Sequence, residues 1–263
     1  MNFMKELNIE YLSLDFKIPK ESECYKKHSD FVLGKIADII QSRIESKENK
    51  IMINTNLKLG LPMENINKIA GPIVEAWAYE VFTDVLSNNQ NTYKLINVES
   101  CERLNMSDVI LQFKIEEKNQ YGITANVDVK ATSDDIKNSG KSPNITSFAR
   151  IRTMYIEDPD YMFIILSLKH KVYSCKNDHT TMMDAIMEIS AHNSYDLKYL
   201  SESDISYNPA LGTGQIQIRD IHYVELYNRD VWSFCQLLDR KFLHSKKGFK
   251  EWIKLAKKYE WIK

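Results

Sequence analysis

The sequence is poor in the residues that interrupt a fold. Eight glycines and six prolines in 263 residues leave no collagen-like repeat, no low-complexity linker and no composition typical of disorder. Cysteine is equally scarce. Cys24, Cys101, Cys175 and Cys235 lie far apart, form no C-x-x-C pair and have no histidine at zinc-finger spacing. Free, mostly buried thiols in a reducing cytoplasm explain them better than disulfides or a zinc site. Long apolar runs are missing as well: the longest, Tyr161 to Leu168, is far too short to span a bilayer, so no membrane association is expected. The first residues lack the basic region, apolar stretch and small-residue cleavage site of a secretory signal, which points to the cytoplasm. The six histidines show neither H-E-x-x-H nor a hydrolase triad order, and His170, His179, His192 and His222 read as structural or surface residues. Gly212-Thr213-Gly214 lacks the third glycine and following helix of a dinucleotide cradle, so no nucleotide cofactor is expected.

An excess of charge of one sign is also absent, with 35 Lys and Arg against 36 Asp and Glu, but the distribution is uneven. From Arg240 to Lys263 nine Lys and Arg face two acids, leaving 26 basic against 34 acidic residues elsewhere. A near-neutral total therefore does not exclude a nucleic-acid binder. On charge alone a solvated helix face remains the ordinary explanation of that tail. Its aromatic residues Phe249, Trp252, Tyr259 and Trp261 fall near helical spacing and read as core.

What is present, 43% hydrophobic and 27% charged residues, suffices for a full-sized core in one α/β domain with a mixed sheet and flanking helices over residues 1–263. The first 90 residues or so read as helical. The periodicity predicts helices over Phe31 to Ser46 and about Asn65 to Leu86, the second interrupted or restarted at Gly71-Pro72, with Ile73, Trp77, Val81 and Val85 as a packed stripe. Ser107 to Ile115 and Ile123 to Ala131 are β-rich runs joined by a longer turn. A polar loop from Thr132 to Asn144 leads to a helix over about Thr146 to Ile156, broken at Asp158-Pro159-Asp160. Tyr161 to Leu168 reads as a buried central strand, with Lys171 to Ser174 continuing it or turning back. Met182 to Leu200 is ambiguous between helix and strand. Tyr207 to Gly214 reads as a loop and Gln215 to Leu226 as a strand. Two amphipathic helices, about Asp230 to Leu243 and Gly248 to Ile262, close the chain.

The chemistry concentrates in Ser107-Asp108-Val109 and Asn126-Val127-Asp128-Val129-Lys130. Asp128 and Lys130, two apart on a strand, share a face. In an antiparallel pair, opposed residues have a constant sum of numbers; residue 118, midway between Asp108 and Asp128, falls at the centre of the expected turn, which sets the two acids across from one another. Opposed carboxylates repel, and a hard divalent cation such as Mg²⁺ between them reverses that penalty. The backbone carbonyl of Val129 is placed to join the coordination shell. Lys130 can orient or help deprotonate a water and stabilise charge on a phosphate. The pattern proposes metal-assisted hydrolysis of a phosphodiester, although on the residues alone an exposed hairpin with ordinary Asp–Lys decoration explains it equally well.

Asp108 followed by Asp128-Val-Lys130 resembles the signature of the PD-(D/E)xK nucleases, with Ser107 where proline is usual. Val127-Asp-Val-Lys-Ala-Thr132 is similar to the metal-site strand of the EcoRV/HincII-like type II restriction endonucleases, with the HpaI group as candidate nearer kin. Lys141-Ser-Pro-Asn-Ile-Thr-Ser147 is similar to the DNA-contacting segment that follows this strand in that branch. Gly71-Pro-Ile-Val-Glu75-Ala-Trp77 resembles the helix that brings another acid near the site. Asn208-Pro-Ala-Leu-Gly-Thr-Gly-Gln215-Ile-Gln-Ile218 resembles the segment that reaches bases in the major groove. The likeness covers about residues 65–220 and is strongest between Asp108 and Ser147.

The resemblance implies a restriction-endonuclease-like core and a Mg²⁺-dependent enzyme of a restriction-modification system. Such an enzyme is a homodimer that cuts double-stranded DNA at a short palindrome, leaving 5′-phosphates and, in this branch, blunt ends. Glu75 would sit near the metal; as a residue type it is as readily a solvated helix glutamate. Lys141, Ser142, Asn144, Thr146, Asn208, Gly212, Thr213, Gln215 and Gln217 would contact DNA. Asn144 can match an adenine edge with its paired donor and acceptor, or simply occupy a turn after Pro143. A six-base site with a central pyrimidine–purine step is the expectation. The alternatives are a structure-specific nuclease of the same fold in repair or junction resolution, and a DNA-binding module without catalysis.

Overall fold

A computed structural model describes residues 9–88, 91–102, 105–117 and 120–263. In chain order its elements are α1 (Ile9–Leu12), α2 (Tyr25–Glu45), β1 (Lys50–Ile53), α3 (Met63–Lys68), α4 (Ala70–Ser87), β2 (Leu95–Ser100), β3 (Val109–Glu117), β4 (Gln120–Ser133), β5 (Asn144–Ser147), α5 (Phe148–Glu157), β6 (Met162–Lys176) and β7 (Met183–Asp196). A 3₁₀ turn (Leu197–Tyr199), β8 (Ile205–Asn208), β9 (Gln215–Ile218), α6 (Val231–Leu243) and α7 (Gly248–Lys258) complete it. The result is a mixed α+β fold. Six strands form one sheet in the order β1-β7-β6-β4-β3-β2, and β5-β9-β8 form a smaller one. Within the large sheet β4 and β6 run parallel, joined by a crossover through β5 and α5, and the other pairs are antiparallel.

Alternation along the strands decides which residues meet which layer. Val109, Leu111 and Phe113 of β3, Ala125, Val127 and Val129 of β4, and Ile164, Leu166 and Leu168 of β6 pack with Val32, Ile36 and Ile40 of α2 and Val74, Ala78 and Phe82 of α4. The opposite face of β6 gives Phe163 and Ile165 to a second core with α5, α6, α7 and the smaller sheet. A strand apolar on both faces is the mark of a sheet centre, which is how Tyr161 to Leu168 reads. On β4 the arrangement leaves Asn126, Asp128 and Lys130 on the side away from α4.

The β3–β4 hairpin keeps the expected register, with Val109 opposite Val127 and Phe113 opposite Ile123. Its strands run further than expected, to Glu117 and from Gln120, and the middle of the expected turn, residues 118 and 119, lies outside the described residues. Other expectations change in detail. The helix of residues 65–86 is two helices restarting at Ile69 rather than at Gly71-Pro72, with Pro72 in the first turn of α4. Ile73 flanks the buried stripe, which centres on Val74, Ala78 and Val81. The largely helical first 90 residues also contain β1, a short strand on the sheet edge beside β7. Met182 to Leu200 resolves as β7 plus the 3₁₀ turn, and Lys171 to Ser174 continues β6. Residues 144–147 form β5 before the helix begins at Phe148. The strand expected over Gln215 to Leu226 ends at Ile218.

The closing helices bury what their spacing suggests: Trp252 and Trp261 are fully buried, with Phe249 and Tyr259 packed against them. The thiols are free, Cys235 buried and the other three half-buried. His170 bonds Asn67 at 3.0 Å and His222 bonds Ser167 at 3.1 Å, both structural contacts. Among the described residues no helix is long and apolar enough to cross a membrane.

Candidate active site

Asp108 stands just before β3, where its N–H donates to the Val127 carbonyl at 2.9 Å and continues the ladder. Its Oδ2 accepts the Val129 N–H at 2.7 Å. That charge-assisted bond ties the carboxylate to the backbone of β4. Asp128, only 4% exposed, offers Oδ1 to Lys130 Nζ at 2.6 Å. The same ammonium donates to the Val129 carbonyl at 3.3 Å. Asp128 Oδ2 is buried and has no hydrogen-bond partner among the described residues.

The electrostatics follow from this crowding. Burial, opposed by Lys130 and reinforced by the charges of Asp108 and Glu75, pushes the Asp128 carboxyl up to about 7. Glu75, on the first turns of α4, is raised by its own burial and by Asp108, against the pull of Lys130. Glu75, Asp108, Ser107, Cys101 and Tyr79 line one cleft between α4 and the start of β3. The structure thus brings together the four charged groups read from the sequence. It adds Tyr195, two strands away on β7, whose phenol is raised by burial and by the Asp128 charge and whose hydroxyl donates to the Ile221 carbonyl at 2.7 Å. No local pattern marks Tyr195; only the sheet order brings it near.

Among the described residues no three Asp, Glu, His or Cys side chains gather as a ready-made metal cage. The donor set nevertheless suits a cation. An unpartnered carboxylate oxygen is costly in a low-dielectric site, and the ammonium between Asp128 Oδ1 and the Val129 carbonyl shows that these two oxygens already converge on positive charge.

The residues read as DNA contacts gather on the smaller sheet. Asn144 of β5 pairs with Gln217 of β9, and Gln217 Nε2 donates to both Asn144 Oδ1 and the Ser142 carbonyl at 3.0 Å. Asn144 is therefore the first residue of a strand rather than a turn residue. Ser142 itself takes a left-handed φ of 50°. Lys141 pairs with Asp220. Asn208 Oδ1 accepts the Ala210 N–H at 3.0 Å, and Asn208 lies opposite Gln215. Thr213 shares a 2.8 Å hydrogen bond with Ser147, and the Gly212 carbonyl accepts from Lys247. Thr146 is buried and does not join this exposed set. Gly214 has a φ of +92°, and a Cβ there would meet the Tyr207 hydroxyl at 2.0 Å, so glycine is required where the loop closes over that ring.

The family model for the type II restriction endonuclease HpaI matches residues 12–260. The chain belongs to the HpaI family of type II restriction endonucleases. It is 57% identical over 256 residues to the type II restriction enzyme HpaI of Haemophilus parainfluenzae, covering 97% of this chain and 100% of that enzyme. As an HpaI-family protein the chain is a site-specific deoxyribonuclease of a restriction system. The match takes in β3, β4 and the smaller sheet, so the strands that hold the acids and the amides belong to the part shared with HpaI.

Proposed function

We propose that the enzyme hydrolyses both strands of duplex DNA at a short palindrome with Mg²⁺, as a homodimer, and that Asp108, Asp128 and Lys130 form its catalytic centre. The observation that supports this best is the buried, unpartnered Asp128 Oδ2 beside the Asp108 carboxylate, with one ammonium spanning Asp128 and the Val129 carbonyl. Asp108, Asp128 and the Val129 carbonyl would hold the metal, with Glu75 nearby. When bound there, the metal supplies Lewis acidity toward a phosphate oxygen and a water of lowered pKa. Asp108, fixed on the Val129 N–H, keeps its carboxylate aimed without rotamer freedom. Lys130 Nζ orients the attacking water and stabilises the negative charge that grows on the phosphate. The water oxygen bonds to phosphorus as the bond to the 3′-oxygen breaks, giving a 5′-phosphate and a 3′-hydroxyl; blunt ends are part of the proposal.

For base reading, the Asn144–Gln217 pair uses one carbonyl and one amide on each other. That leaves the amide of Asn144 and the carbonyl of Gln217 without partners among the described residues, a donor and an acceptor that complement an adenine edge. Two-fold symmetry of the protein would match that of the site.

Digestion of a plasmid with Mg²⁺, with Ca²⁺ and with chelator, followed by end sequencing, tests the reading. Discrete fragments with flush 5′-phosphorylated ends in Mg²⁺, and specific binding without cutting in Ca²⁺, are expected. Equal cutting in chelator would refute the metal, staggered ends the blunt cut, and scattered nicks the palindrome.

A further inference from the structure

The amide pair does not end the polar face of the smaller sheet. Gln215, Gln217 and Arg219 alternate along one side of β9 and its continuation, while Ile216 and Ile218 are buried on the other. Arg219 is pinned through its backbone: its N–H donates to the Asp204 carbonyl at 2.8 Å, and its carbonyl accepts the Ser142 N–H at 3.1 Å. The residue is exposed, and its guanidinium has no hydrogen-bond or ion-pair partner among the described residues. A pocket beside it is lined by Ser142, Ser206, Tyr207, Arg219, Lys241 and His244, among others, and no carboxylate is in its wall. Lys241 reaches in from α6 with its ammonium on the Glu202 carbonyl at 2.8 Å. The Glu202 carboxylate is itself engaged by Arg240 at 3.0 Å.

Arg219 and Lys241 both line this hollow and repel one another, while Arg219 also borders a neighbouring hollow that holds Asp204 and Glu225. Burial depresses the Lys241 pKa, Glu202 opposes the fall, and Arg240 and Arg219 deepen it. An anion seated between them relieves the repulsion, and the hydroxyls of Ser142 and Ser206, which make no hydrogen bond within the described residues, add neutral donors. The site borders the base-reading pair directly, since Ser206 lies opposite Gln217. A rise of about 3.4 Å per residue puts Arg219 about 7 Å from Gln217. That is close to half the ~12 Å width of the major groove, the separation between a base edge at its centre and the phosphates along its wall.

We infer that Arg219 and Lys241 form a clamp for a DNA backbone phosphate, which fixes the register of the Asn144–Gln217 pair against the bases. The inference rests on the reading of that sheet as the DNA face. The clamp carries no sequence information of its own, and it gives Lys241, the α6 end of the basic tail, a specific place in DNA binding.

The test is the salt dependence of binding to an unrelated duplex and to the cleaved sequence, for wild type, Arg219→Ala, Lys241→Ala, Arg219→Lys and Asn144→Ala. Each alanine at the clamp is expected to weaken both duplexes and to lower the slope of log K against log salt by about 0.9 for each phosphate no longer neutralised. Arg219→Lys is expected to restore the slope. The Arg219 side chain has no hydrogen-bond or ion-pair partner among the described residues to lose, and thermal melts check all the variants. Wild-type slopes in both alanine variants, with Asn144→Ala still reducing preference for the cleaved sequence, would overturn the clamp and leave the DNA face standing. No effect from Asn144→Ala either would overturn both.

Discussion

Asp239 and Asp128 are each buried against a cation, and they are treated very differently. Asp239 accepts bonds from Arg152 Nε at 3.2 Å and Nη2 at 3.2 Å, from the Tyr11 hydroxyl at 2.8 Å and from Trp252 Nε1 at 2.9 Å, and the Arg152 guanidinium lies over the rings of Trp232 and Trp261. Asp128 has one lysine and an oxygen with nothing to bind. The first carboxylate is surrounded by donors from several elements and locks α5, α6, α7 and the N-terminal segment together. The second is held half-satisfied. Both oxygens of Asp239 are met by donors, which rigidifies the fold even though Arg152 Nη1 is buried without a partner among the described residues. The unmet oxygen of Asp128 lies beside Asp108 and Lys130, where a bound cation would offset its cost.

The sharpest break between the two comes from deleting the cations. Lys130→Ala is expected to slow cleavage by on the order of 10²–10⁴-fold, the range for a group that positions or moves a proton. Single-turnover rates at saturating protein read this, and an unchanged rate would put Lys130 outside the chemistry. Thermal stability should fall less than for Arg152→Ala, because the Asp128 carboxyl, already raised to about 7, can take up a proton when its partner is lost. Arg152→Ala is expected to do the reverse. It strips a buried carboxylate of its partner and should cost about 3–5 kcal/mol in urea unfolding, with the salt slope of DNA binding intact in whatever fraction folds.

The two regions are not equally legible in the sequence. Asp108, Asp128 and Lys130 are close along the chain, and strand alternation with a hairpin midpoint is enough to place them. Asp239 and Arg152 meet across 87 residues between helices, and no local periodicity announces such a meeting. Glu75 is intermediate: as one glutamate on a helix it has no signature, and its place beside Asp108 follows only from likeness to other nucleases. The edge strands β1 and β2 escape sequence reading because four and six residues are too few to tell a strand period from a turn of helix. Arg219 is within reach of such reading, since it is two residues beyond Gln217 in the same alternation.

A smaller effect sharpens the contrast through pH. With its carboxyl raised to about 7 from about 3.9 when unfolded, Asp128 in metal-free protein favours folding most below pH about 4 and loses that contribution as pH rises through 7. Urea unfolding in chelator should therefore show wild type losing ground to Asp128→Ala between pH about 4 and 7, with the difference levelling off above that. A constant difference would mean that Asp128 is not held in a desolvated site.

At the recognition sheet the expected effects are graded rather than absolute. Asn144→Ala should cost about 1–3 kcal/mol of discrimination at one base pair, seen as weaker binding to the cleaved sequence in Ca²⁺ with little change for an unrelated duplex. Equal weakening of both would make Asn144 a strand residue only. Smallest of all, neutralising Lys246, Lys247 and Lys250 should lower affinity about equally for both duplexes with a shallower salt slope. No change in either would leave that part of the tail as a solvated helix face.

The contrast depends most on Asp128 being kept for chemistry rather than for the fold. The direct measurement is plasmid cleavage by Asp128→Ala in Mg²⁺, with folding and metal-free DNA binding measured on the same preparation. Loss of cleavage is predicted, with stability held or raised and metal-free binding as tight as wild type or tighter, because a charge that repels phosphate is gone. Cutting at the wild-type rate would contradict the account.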